Sequence, residues 1–358
     1  MIVEKIREQV IKSDFDCLFV AGLENPMALM NIRYLSSFSG TAGYVLIGKD
    51  FGYFISDFRY RDQAQEQVLD LEFIELESSI ATTINELIAK HEVKKIGFDK
   101  TMYYFQYEFF AKNISAELVP ASGVIEDSRI SKTEKEIELL QKACDITDKV
   151  FEHIVDFIKP GLTEKEVERE LKDQMLKLGA ESTWPSFIVA SGERGAMPHG
   201  TASDKVIEEG EMVTLDFGCN YKGYTSDITR TIAVGDPDPK LVDIYKIVYD
   251  AQIAAVKEAR AGMTGKELDA VCRDIITDAG YGEYFKHGTG HGLGLNVHEA
   301  PSVSPKYEKK LPLDSVVTIE PGIYITGLGG VRIEDDVVLK EDGCIVLTNS
   351  PKELIIIK

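Results

Sequence analysis

Along the first 125 or so residues, short apolar runs alternate with amphipathic stretches. Residues 16–21, 44–47, 53–56, 71–76 and 95–98 are rich in β-branched, aromatic and other apolar side chains and have strand length. Residues 2–11, 62–68 and 80–91 instead repeat apolar side chains every three to four positions, which predicts helices. Strands alternating with helices predict an α/β domain. From Thr133 the pattern becomes one long amphipathic stretch over residues 133–158, opened by a capping box in which Thr133 is followed three residues later by Glu136. The change falls at residues 122–132, so two domains are expected, 1–125 and 126–358.

The second part repeats itself. Gly161-Leu162-Thr163-Glu164-Lys165-Glu166-Val167 matches Gly262-Met263-Thr264-Gly265-Lys266-Glu267-Leu268, 101 positions on. Each copy opens with a Thr-x-x-Glu capping box, and each helix ends at a glycine with the same offset, Gly179 and Gly280, as a left-handed C-cap requires. A helical pattern precedes each copy, over residues 133–158 and 239–260, and strands follow. The expectation is a duplicated pair of α+β halves facing each other, with room for a site between them.

A chain of 358 residues accommodates two domains with sizeable cores. Its 60 acidic against 40 basic residues leave a net charge of −20, the wrong sign for a broad grip on nucleic acid or an anionic membrane. The five cysteines, Cys17, Cys144, Cys219, Cys272 and Cys344, have neither metal-knuckle spacing nor the density of a disulfide framework. Charges interrupt the apolar residues of the N-terminal stretch, so neither a signal sequence nor a membrane span is expected, and a reducing cytoplasm is the expected compartment.

The candidate chemistry lies in the second part. Three of the six histidines, His287, His291 and His298, fall within twelve residues in a segment with four glycines, whose backbone can approach a ligand closely. His199 follows Pro198 upstream. Two strand-like runs joined at Lys222-Gly223 carry Asp216 and Asp227. Paired positions around an even loop have residue numbers that add to an odd number, as these do, so the two carboxylates are expected on one face. Like carboxylates side by side are costly to bury without a cation. Two further runs carry Glu320 and Glu334, whose numbers add to an even number. On the same rule they share a face only if a bulge, or the break at Pro321-Gly322, shifts the count. Two Asp, two Glu and one imidazole suit Mn²⁺, with Co²⁺ or Zn²⁺ as substitutes, and four carboxylates offset two dications. Such a centre activates water and polarises a carbonyl, so amide hydrolysis is the chemistry expected.

These residues carry a family resemblance. Pro198-His199, Asp216 with Asp227, the spacing from His287 through His291 to His298, Thr318-Ile319-Glu320-Pro321-Gly322 and Arg332-Ile333-Glu334 occur in the order found in metal-dependent peptidases of the aminopeptidase P and prolidase group. The chain resembles this group of the pita-bread family over nearly its full length. The resemblance extends to an N-terminal α/β domain, including residues 34–40 and 56–60, which methionine aminopeptidases lack. It implies a creatinase-like N-terminal domain followed by a pita-bread catalytic domain with pseudo-two-fold duplication. It also implies two divalent ions bridged by Asp227 and Glu334, with Asp216 completing one, and His291 and Glu320 the other.

On the same resemblance, His199, His287 and His298 line the substrate side, with His199 and His298 catalytic, Glu320 is the general base on a metal-bridging hydroxide, and Arg332 supports the site. A homodimer is implied as well. The expected activity is cleavage of the N-terminal Xaa-Pro bond of peptides, with the aminopeptidase P version ahead of a prolidase restricted to dipeptides. A metal-free creatinase-like hydrolase is disfavoured because all five ligand positions are filled. A non-catalytic binding module is disfavoured for the same reason, and the net charge of −20 argues against an RNA-binding version.

Overall fold

The computed structural model describes residues 2–358, and they form two compact units divided between Arg129 and Ile130. The first unit runs α1 (Ile2–Ile11), β1 (Cys17–Leu23), α2 (Pro26–Ser36), β2 (Ala42–Gly48), β3 (Gly52–Ser56), α3 (Arg61–Gln67), β4 (Glu72–Glu75), α4 (Ile80–Lys90), β5 (Lys95–Phe98), α5 (Tyr104–Asn113), β6 (Glu117–Pro120) and α6 (Val124–Ile130). Its strands form one mixed sheet in the order β4-β3-β2-β1-β5-β6. The central strands β1 and β2 are buried almost throughout, which is why they read as continuous apolar runs rather than as alternating ones.

Helix α2 escaped the sequence reading. Its signal is the pair Asn25-Pro26, in which the Asn25 side chain caps the Ala28 N–H and Pro26 occupies the first turn, but the same pair also opens a turn. Helix α6 moves the domain division beyond the expected 125/126. Lys5 Nζ and Tyr34 Oη donate to the Ser128 carbonyl at 2.6 and 2.8 Å, and Arg129 Nη1 donates to Asn31 Oδ1 at 2.7 Å, so most of α6 belongs with the first unit.

The second unit is built twice. In its first half, α7 (Glu134–Phe157) and α8 (Glu164–Lys177) lie with the antiparallel strands Ile188–Ser191, Glu211–Phe217 and Ile228–Val234. In the second half, α9 (Pro239–Glu258) and α10 (Gly265–Asp278) accompany Glu299–Val303, Gly290–Gly292, Val316–Ile319, Asp335–Lys340 and Gly343–Val346, in that order across the sheet. Each half has its own core. Val150, Ile154, Val167 and Leu171 pack with Val213, Leu215 and Ile232 in one, and Ile244, Val248, Leu268 and Cys272 pack with Val317, Ile319 and Val337 in the other. Helices α8 and α10 are both 14 residues long and both open with a complete capping box, Thr163 with Glu166 and Thr264 with Glu267. The flanking Gly161 and Gly262 have φ of 96° and 86°, with no atom within 4 Å of where a Cβ would stand, so backbone conformation and not space calls for glycine there. No helix among the described residues is long and apolar enough to cross a membrane.

The two hairpins resolve the parity question differently. In the first half, Asp216 stands opposite Thr229, and Tyr221 pairs with Tyr224 across the two-residue loop Lys222-Gly223, so one register runs along the hairpin. Asp227, two residues before Thr229, therefore shares the Asp216 face. In the second half, Gly322 pairs with Arg332 and Ile325 with Gly329, around a loop of three residues, Thr326, Gly327 and Leu328. Ile319 pairs with Asp335 in the same register, which places Glu320 opposite Glu334. The expectation that a bulge was needed assumed an even loop. An odd loop, with Gly327 at φ 78° to make the turn, puts even sums in register.

Candidate active site

A cavity of about 1020 Å³ opens in the second unit, and every residue singled out from the sequence lines it: His199, Asp216, Asp227, His287, His291, His298, Glu320, Arg332 and Glu334. The first hairpin delivers Asp216 and Asp227. The second delivers Glu320, Arg332 and Glu334, and the strand Gly290–Gly292 delivers His291. Where the second hairpin changes partners, its backbone is held from outside: the Glu320 N–H donates to the Thr289 carbonyl at 2.7 Å and the Glu334 N–H to the Thr229 carbonyl at 3.0 Å.

Ligand-capable atoms of Asp227, His291 and Glu334 all lie within 4.8 Å of one another. His291 Nε2 is 3.7 Å from Asp227 Oδ2 and 3.5 Å from Glu320 Oε1. Its Nδ1 faces the Gly292 carbonyl at 3.1 Å. A carbonyl only accepts, so Nδ1 carries the proton and Nε2 presents a lone pair to the carboxylates. Burial pushes this imidazole down to about 4, which keeps it neutral at physiological pH. Burial, and then repulsion from neighbouring carboxylates, raises Asp227 and Glu334 well above the usual carboxylate range. Burial also lifts Glu320 to about 8. Asp227 Oδ1 is buried without a hydrogen-bond partner. The one arginine of the cavity, Arg332, gives Nη2 to Asp216 Oδ2 at 2.7 Å. Arg332 is a single cation against four carboxylates, so most of the converging lone pairs stay uncompensated, and such an arrangement fits divalent metal.

The remaining histidines stand around this cluster. His298 lies beside His291 with ring centroids 4.2 Å apart and the rings tilted by 49°. His199 is exposed at the cavity wall. His287 donates from Nδ1 to the Gly288 carbonyl at 2.8 Å and faces Tyr324 Oη with Nε2 at 2.9 Å. Tyr324 in turn accepts from Arg332 Nη1 at 2.9 Å, so a polar chain links Asp216 to His287 through Arg332 and Tyr324. Burial lowers His287 to about 4.

Sequence reading missed several supports. Tyr324 had a signal, because it lies on the strand Gly322–Ile325 directly after the Glu320 motif. Asp336, whose Oδ2 accepts the Asp227 N–H at 2.9 Å, lies two residues beyond Glu334 but outside the motif that marks it. Asp269 and Arg273 on α10 had no local signal. Asp269 Oδ1 accepts the Thr289 N–H at 2.9 Å, and Arg273 donates to the Phe285 and His287 carbonyls at 2.8 and 2.7 Å, fixing the glycine-rich segment. Glu164, fully buried on α8, accepts from Ser191, Arg194 and Ser203 and so anchors the segment that carries His199.

Residues 138–341 match the family model of metallopeptidase family M24, and residues 3–131 match the creatinase/prolidase N-terminal domain. An Xaa-Pro dipeptidase of Pyrococcus horikoshii is 41% identical over 99% of this chain and 98% of its own. The solved structure of an Xaa-Pro dipeptidase from Bacillus anthracis superposes with a TM-score of 0.95 at 48% identity, covering 99% of both chains. That of an X-Pro aminopeptidase from Thermotoga maritima superposes with a TM-score of 0.92 at 37% identity, covering 98% of this chain and 99% of the other.

Proposed function

We propose that this chain, which belongs to metallopeptidase family M24, is a dinuclear-metal hydrolase of the Xaa-Pro bond whose preferred substrates are dipeptides. The observation that carries the metal half of this reading is the buried meeting of Asp227, Glu320 and Glu334 with the unprotonated Nε2 of His291. Asp216, Asp227, His291, Glu320 and Glu334 would hold two divalent ions, and this oxygen-rich set with one imidazole favours Mn²⁺, with Co²⁺ or Zn²⁺ as substitutes. Bound there, the ions supply water that ionises near neutral pH and polarise the scissile carbonyl.

The rest falls to the chain. Glu320 takes the proton of the attacking water. His199 and His298 hold the carbonyl oxygen and return a proton to the leaving proline nitrogen, which has no hydrogen of its own in the peptide. His287, fixed by Gly288 and Tyr324, orients the substrate, and Arg332 holds Asp216 in place.

The order of the two substrate readings is the reverse of the one expected from sequence. The relative from P. horikoshii and the structure from B. anthracis, both named dipeptidases, cover almost the whole chain, and they support the dipeptide reading. The likeness to the T. maritima X-Pro aminopeptidase keeps longer peptides as the second reading. A dipeptide differs from a longer substrate in carrying its free carboxylate on the proline itself. Metal-loaded protein should therefore cut Xaa-Pro faster than Xaa-Pro-Yaa, and Xaa-Ala poorly. A chelator should abolish the activity and Mn²⁺ restore it. Efficient cleavage of Xaa-Pro-Yaa would make the second reading the better one, and failure on both substrates would remove both.

A further inference from the structure

We propose that Thr229 is a positioning residue of the metal centre, its one hydroxyl orienting Glu334 and Arg332 together. The inference rests on the reading of Glu334 as a metal ligand. Thr229 belongs to the strand Ile228–Val234 of the first half and is fully buried. Its Oγ1 lies 2.6 Å from Glu334 Oε2 and 3.0 Å from Arg332 Nε. Guanidinium nitrogens only donate, so the hydroxyl accepts from Arg332 and must spend its single proton on Glu334. With Glu334 ionised, as metal binding requires, the direction of both bonds is decided: Arg332 donates to Thr229, and Thr229 donates to Glu334.

The hold on Glu334 is double. The Thr229 carbonyl accepts the Glu334 N–H at 3.0 Å while the hydroxyl ties one carboxylate oxygen, so the backbone and the carboxylate of Glu334 are both fixed by one residue. A β-branched side chain on a strand has little rotational freedom, so the hydroxyl sits at a defined point. From that point the effect spreads through Arg332, whose Nη2 meets Asp216 and whose Nη1 meets Tyr324, the partner of His287. One residue of the first half thus couples two carboxylates of the cluster to a histidine of the substrate side. Thr231, two residues on, makes a useful contrast: its hydroxyl touches only the backbone of Arg332 and the hydroxyl of Thr214.

The test compares Thr229→Val, which keeps shape and removes the hydroxyl, with Thr229→Ser, which keeps the hydroxyl, and with Thr231→Val as the control for lost packing and stability. Metal-free proteins are titrated with Mn²⁺ calorimetrically, and kcat and KM are measured on Xaa-Pro at saturating metal. Thr229→Val should bind Mn²⁺ roughly 10- to 100-fold more weakly, the usual cost of removing a group that orients a ligand, and should lose kcat with little change in KM. Thr229→Ser should recover most of both, and Thr231→Val should melt earlier with its Mn²⁺ affinity unchanged. If Thr229→Val does not fold, Thr229→Ala takes its place. Wild-type Mn²⁺ affinity and kcat in a folded variant without the hydroxyl would overturn the inference. Absence of Mn²⁺ binding by the wild-type protein would instead overturn the reading of the site itself.

Discussion

In the first half of the pita-bread unit α8 carries Glu168 and Lys172; 101 residues on, α10 carries Asp269 and Arg273. Glu168 accepts the Phe187 N–H at 2.9 Å, and Lys172 donates to the Pro185 carbonyl at 2.8 Å and lies over the Phe187 ring. Asp269 accepts the Thr289 N–H, and Arg273 donates to the Phe285 and His287 carbonyls and lies over the Phe285 ring. The same acid-base pair, one helical turn apart, clamps the segment entering the edge of each central hairpin. What the clamps hold is different. The first holds a segment with Ser186, and the second a segment with His287 and, just beyond it, His291. Each hairpin also brings a carboxylate pair to the cavity, Asp216 with Asp227 and Glu320 with Glu334, but through loops of two and three residues. The duplication therefore supplies a symmetric frame with carboxylates from both sides, and the imidazoles near the cluster enter mainly from one.

The comparison can be broken at the histidines first. His291→Ala should lose metal affinity, because its Nε2 lone pair points into the carboxylate cluster. His298→Ala should keep its metal and lose turnover by roughly 10² to 10⁴, the range for a general acid-base or oxyanion partner. Metal titration alongside kinetics separates them, and identical behaviour would erase the distinction between a cluster histidine and a substrate-side one.

The clamps come next. Asp269→Asn weakens a buried charge-assisted hydrogen bond and Glu168→Gln a partly buried one, and each should cost roughly 1–3 kcal/mol of stability in thermal unfolding, the Glu168 variant at the lower end. Only Asp269→Asn should also weaken Mn²⁺ binding, because its segment leads into His291. Equal losses of affinity in both variants would mean that the two halves are functionally coupled after all.

The smallest effect is on the metal-free protein. Glu320 binds its proton up to about 8 in the folded state and up to an ordinary glutamate value when unfolded, so the folded state holds more protons between those limits and stability falls as pH rises through them. His287 and His291, lowered to about 4, act oppositely, but only below the ordinary histidine range. From pH 6.5 to 8 the carboxylates alone decide. The melting temperature of chelated protein should decline over that interval, and added Mn²⁺ should flatten the decline.

Much of this was legible along the chain because the relevant physics is local. Period and length marked α1, α4, α7 and five of the six strands of the first unit. Thr163 with Glu166 and Thr264 with Glu267 marked the starts of α8 and α10, since a capping box needs only four consecutive residues. The motif residues around the cavity were legible for the same reason, as carboxylates and histidines costly to bury without a shared purpose. Register was legible for Asp216 and Asp227, where Lys222-Gly223 forces a two-residue turn. It was misread for Glu320 and Glu334, because a glycine-rich stretch permits several loop lengths and only the paired strands select one.

Asp269 on α10, Glu164 on α8, Asp336 behind Asp227 and Thr229 between Glu334 and Arg332 lay beyond any local pattern. An acid on an amphipathic helix or a threonine on a strand is an ordinary residue until a segment 20 to more than 100 positions away arrives within hydrogen-bond distance. The sequence by itself determined that Asp216 and Asp227 would share a face, because a two-residue turn fixes register, and its ordered motifs carried the resemblance that implies one site for the rest. Only the tertiary structure decided how they are held, because hydrogen bonds between distant segments have no period and no spacing until both halves have folded.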